Sequence, residues 1–163
     1  EKGLASVLGE AILRSDLPHK ELSILAAASR LDIMATAHVA IGTDTVHMHP
    51  EIDGALLGRA TLVDFRKLAK AISMLEGGVY INLGSAVILP EVFLKALALV
   101  RNLGHRVYRF TTINMDFIRH YRPEQNVVKR PTVSGGKGIS LVGHHEIMFP
   151  LLSAAAKEAF RSL

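Results

Sequence analysis

Cysteine is absent from the chain, and so is tryptophan. Without cysteine there are no disulfides and no thiolate chemistry, which fits the expected cytoplasmic location. Aromatic residues make up 6% of the sequence, too few for the stacking platform of a single-strand nucleic-acid binder. No apolar run reaches the ~18 residues of a membrane-spanning helix, and no signal-peptide pattern stands at the start. Neither a membrane nor a nucleic-acid partner is expected. The formal charge of +4 does not change this, because lysines and arginines are scattered along the chain. Their densest stretch, 119–130, also holds Glu124 and Pro123.

What is present is largely apolar. Hydrophobic residues are 49% of 163, and the mean hydropathy is +0.27. Disorder is excluded, and burial is extensive enough to include a subunit interface. The expected organisation is a single α/β domain over 1–163. The chain opens on Glu1 rather than Met and runs straight into helix, so a fragment of a longer protein is also expected.

The stretch 78–104 organises the rest. Val79, Tyr80 and Ile81 have the character of a buried strand, Gly84 and Ser85 interrupt it, and Pro90 and Glu91 suit the first turn of a helix. Asn102 and Gly104 supply that helix's stop. A strand, a glycine turn and a buried helix make half of a βαβ unit, and such a turn brings backbone N–H groups close to an anion or nucleotide. A plain tight turn would read the same way.

Apolar spacing predicts helices over 3–14, 19–31, 61–75 and 145–160, with a short one near 53–58. Strands are expected at 33–40, 79–83, 106–112 and 139–142. A loop is expected at 119–138, long enough to be of the kind that carries function. Alternating strands and helices imply a three-layer α/β fold, a mostly parallel sheet with helices on both faces.

Ligands of such sheets bind beyond the carboxyl ends of the strands. Polar groups fall there after each expected strand: Gly42, Thr43, Asp44, His47 and His49; Asn82, Gly84 and Ser85; Thr111, Thr112, Asn114 and Asp116; Gly143, His144, His145 and Glu146. A small-molecule site on that rim is the expectation. His47, His49 and His144 with Asp44 suit a metal-assisted hydrolase in residue type, though their spacing matches no zinc pattern and no metal ligand is assigned. His38, inside an expected strand, reads as a core histidine. Ser134 to Gly138 lacks the spacing of a phosphate loop, so Lys137 is either a loop lysine or a nucleophile brought to the rim.

The order of elements resembles the C-terminal half of deoxyhypusine synthases. The likeness is carried by 21–39, by Ala40-Ile41-Gly42-Thr43-Asp44, by 61–75, by 79–91, and most clearly by Val142-Gly143-His144-His145-Glu146-Ile147-Met148-Phe149-Pro150-Leu151-Leu152. It spans about three quarters of the chain. The resemblance implies a Rossmann-like fold, a homo-oligomer and an NAD site, with Gly84, Ser85 and Ala86 against the cofactor. Gly42, Thr43, Asp44, Thr111, Asn114 and Asp116 would complete that site, and Lys137 and His145 would be catalytic. Oxidation of an amine or transfer of an aminoalkyl group would be the chemistry. The chain departs from the family at its glycine triplet, here Gly84-Ser85-Ala86, and in the absence of the tryptophan that precedes the family's reactive lysine. The hypusine reaction itself is not carried over. A non-catalytic ligand-binding or assembly module is the third reading, and Met148, Leu151, Leu152, Ala155, Ala156 and Ala159 of the last helix suit an interface.

Overall fold

A computed structural model describes residues 2–162, in which three parallel strands form a sheet of order β1-β2-β3. The fold is α/β. The chain divides into two compact units, Glu1–Ile72 and Ser73–Leu163.

The first unit is helical. It contains α1 (Leu4–Arg14), α2 (Ile24–Arg30) and nearly all of α3 (Gly54–Ser73). The helix expected over 19–31 breaks into a 3-10 turn, Lys20–Leu22, and α2, whose start is capped by Ser23 Oγ accepting from Ala26 N–H. The helices expected at 53–58 and 61–75 are one, because Asp53 rather than Thr61 accepts the first free N–H groups, those of Ala55 and Leu56.

Residues 33–40 are not a strand. α3 side chains take the place of a ladder for them: Ala37 N–H donates to Asp64 Oδ2 at 3.0 Å, and Thr61 Oγ1 donates to Ala37 C=O at 3.1 Å. Asp64 is fully buried and also accepts from Ala5 N–H, in the first turn of α1. One carboxylate thus serves a helix start and an extended segment at once. His38 is half-buried with Nε2 at 3.0 Å from Thr36 Oγ1, and burial holds its pKa below the ordinary histidine value.

The second unit holds β1 (Val79–Leu83), α4 (Ile88–Asn102), β2 (Thr111–Asp116), β3 (Lys137–Val142) and α6 (His145–Arg161). Between β2 and β3 runs a short helical turn, α5 (Tyr121–Pro123), then a π-helical segment, Glu124–Lys129, and a 3-10 turn, Arg130–Thr132. The expected loop at 119–138 is therefore mostly wound. Gly138 permits this winding to lie against β3, since a Cβ there would stand 2.2 Å from the Val128 carbonyl oxygen.

α4 covers one sheet face. Phe93 is wholly buried, stacked on Tyr80 at 3.7 Å and edge-on to Phe110 at 6.4 Å. Burial pushes the Tyr80 phenol up to about 12. β2 begins at Thr111, later than the strand expected from 106, because the run before it is tied down by side chains. Glu76 accepts from Tyr108 N–H at 2.6 Å and from Arg109 N–H at 2.9 Å, and these bonds hold its carboxyl below the usual range.

Candidate functional site

The register places Tyr80 beside Thr112 and Asn82 beside Asn114, so β2 turns Thr112, Asn114 and Asp116 to the α4-facing side. All three are buried, an unusual polar run in the central strand of a sheet. Asn82 Nδ2 donates to Asn114 Oδ1 at 2.8 Å and to the Ser85 carbonyl at 2.9 Å. The floor of the sheet is thereby bonded to the turn that leaves β1. Gly84 makes that turn with φ +70°, in the left-handed region that favours glycine. Ser85 Oγ accepts from Leu89 N–H, in the first turn of α4.

Asp116 ends β2 at 2% exposure. Its Oδ1 accepts from Phe117 N–H at 2.8 Å. His145 Nε2 lies 3.7 Å from Oδ1 and His120 Nε2 lies 3.8 Å from Oδ2. Both separations exceed a hydrogen bond and suit charge attraction when either imidazole is protonated. His145 opens α6 directly after β3, and Phe117 meets its ring edge-on at 6.4 Å. A Cβ on residue 84 would stand 3.2 Å from His145 Nε2. The Gly84 turn, Asp116 and His145 therefore form one cluster at the carboxyl edge. The other ring nitrogen of His145 is Nδ1. That Nδ1, with Asn82 Oδ1 and Thr112 Oγ1, is buried without a hydrogen-bond partner among the described residues.

No protein-family model, curated protein or solved structure matches the chain.

The sequence-predicted residues separate into groups. Gly84, Ser85, Ala86, Asp116 and His145 stand at the carboxyl edge, with Asn114 beneath them. Lys137 does not. It is the first residue of β3 and pairs with Thr111, the first of β2, at the amino edge. The length of β3 separates it from the rim, a span of about 16 Å. A lysine at the start of a parallel strand cannot share the edge where the strand ends, so Lys137 and Thr111 leave this cluster. Gly42, Thr43 and Asp44 belong to the first unit and close their own turn. Ala40 N–H donates to Asp44 Oδ2, Thr43 Oγ1 to the Ala40 carbonyl, and Gly42 N–H to His47 Nδ1.

His120 is not among the residues the sequence points to. Its one signal is the spacing of four from Asp116. Among the described residues, no group of three or more histidines and carboxylates is placed to hold a metal ion. No helix among the described residues is long and apolar enough to cross a membrane.

Proposed function

We propose that the carboxyl edge of the second unit's sheet binds a small molecule and that His145, polarised by Asp116, moves a proton there. The observation that carries this reading is a buried carboxylate at the end of the central strand, with two imidazoles within 3.8 Å and a left-handed glycine turn beside it. A carboxylate that orients an imidazole and stabilises its protonated form is a general acid–base device.

The finer reading takes the ligand to be a nicotinamide dinucleotide and the fold to be the Rossmann-like one of deoxyhypusine synthases. The parallel strands and the β1–Gly84–α4 turn support it. The residues fit such a group at the turn: Gly84 carries no side chain, and the Ser85 carbonyl is held back by Asn82. Gly84, Ser85 and Ala86 would lie along its phosphates. When bound, a nicotinamide supplies hydride transfer, which suits oxidation of an amine or the first stage of an aminoalkyl transfer. Asp116 is too deeply buried to bind ribose, so its part is to hold His145. Lys137 has no part in this scheme.

Calorimetry with NAD tests the reading. Wild type should bind, and Gly84→Val should not, while still melting cooperatively. Valine at φ +70° is strained, so Ala86→Leu is the companion variant, adding bulk at the same turn; it should weaken binding and keep the wild-type Tm. Absence of NAD binding by wild type at millimolar cofactor contradicts the dinucleotide.

A further inference from the structure

A polar cavity of about 480 Å³ is lined by Glu91 of α4 and by Tyr121, Arg122, Gln125, Asn126 and Arg130. Of these, Asn126 lies on the π-helical segment and is 5% exposed. Asn126 Nδ2 donates to Glu91 Oε1 at 2.7 Å, and its Oδ1 accepts from an Arg130 Nη at 3.1 Å. The buried amide thus fixes both a carboxylate and a guanidinium. Irregular π windings recur at functional sites because they turn side chains that a regular helix would point elsewhere.

The charges do not balance. Glu91 is shared among Asn126, Lys95 at 3.4 Å and Arg122 at 3.7 Å. Arg130 has the neutral Asn126 as its side-chain partner and, among the described residues, no carboxylate. Two guanidiniums therefore face a cleft whose one carboxylate is already divided. Gln125 and Tyr121 add an amide and a phenol to the same walls.

We propose that this cleft binds the phosphate group of a phosphorylated small molecule. A tetrahedral phosphate accepts hydrogen bonds from several directions, which suits two guanidiniums, an amide and a hydroxyl arranged around a cavity. A carboxylate is planar and is satisfied by a single guanidinium fork. The cavity is much larger than phosphate alone, so the anion is one end of a larger ligand. The proposal rests on different residues from those of the sheet-edge site and stands whether or not that site takes a dinucleotide.

The test is titration of the full chain with inorganic pyrophosphate and with adenosine monophosphate, followed by calorimetry and phosphorus NMR. Succinate serves as the carboxylate control. Both phosphates should bind, and succinate should not. Arg130→Gln and Arg122→Gln should each weaken phosphate binding about tenfold or more. Lys129→Gln removes an equal charge from the same segment but outside the cleft, and should bind as wild type does. The proposal is overturned if wild type binds neither phosphate at millimolar concentration, or if succinate binds as tightly. Equal weakening in Lys129→Gln and Arg130→Gln overturns it too, because the binding is then diffuse electrostatics. If Arg130→Gln fails to fold, Arg122→Gln compared with Lys129→Gln separates the same outcomes.

Discussion

At the scale of single residues, burial decides what the polar groups of the second unit do. Asp116, expected at the ligand, lies beneath the surface, where it acts on His145 and His120. Tyr80 shows the same control on the alkaline side. Its phenol is raised to about 12 in the folded chain and titrates near 10 when unfolded. Between these values the folded state binds the extra proton, so stability is intact below about pH 10 and is lost as pH rises toward 12. The loss from this group is roughly 2–3 kcal/mol at most. Tyr80→Phe, which keeps the ring on Phe93, should flatten the fall in Tm between about pH 9.5 and 11 relative to wild type. Parallel curves for the two proteins would show that Tyr80 is not the group responsible.

At the scale of elements, the sequence is most legible where apolar spacing has one period. α1, α4 and α6 begin and end within about two residues of their expected limits. The misses have physical causes. Residues 33–40 look like a strand, but Asp64 and Thr61 of α3 bond their backbone in place of neighbours. The π and 3-10 windings of 124–132 show no 3.6-residue period, so the segment reads as loop. Pro131 within it and Pro123 just before it break regular helix, and the glycine that follows it at the start of β3 serves contact rather than mobility. That glycine, Gly138, gives a direct test. Gly138→Ala would drive a methyl into the Val128 carbonyl, costing about 1–3 kcal/mol or more and lowering Tm by several degrees. A Tm unchanged in this variant would contradict the packing of the π-helical segment on β3.

At the scale of the whole molecule, α6 stands out because none of its residues is buried. Ile147, Phe149, Leu151 and Phe160 are each more than half exposed. Seventeen residues with this much apolar surface suit a helix covered by a second copy of the chain, and we propose a homo-oligomer on that basis. Sedimentation velocity should show a species larger than the monomer, shifted toward monomer by Leu151→Glu. A single monomer boundary at high protein concentration would contradict it. The carboxyl-edge cluster is partly legible in the sequence: the strand–glycine turn–helix pattern locates Gly84, and the strand ends locate Asp116 and His145. Lys137 is misplaced because the expected loop at 119–138 left it free to reach the rim, whereas β3 starts at Lys137 itself and fixes it at the amino edge.

Whether Gly84, Asp116 and His145 form one ligand site is tested most directly by amide chemical-shift mapping in two-dimensional NMR, with NAD titrated into the wild-type chain. Saturable shifts should concentrate at Gly84, Ser85, Ala86, Phe117 and His145, with Lys137 and Thr111 at the amino edge unmoved. Saturable shifts centred on Lys137, or none at the Gly84 turn, would contradict a single site at the carboxyl edge.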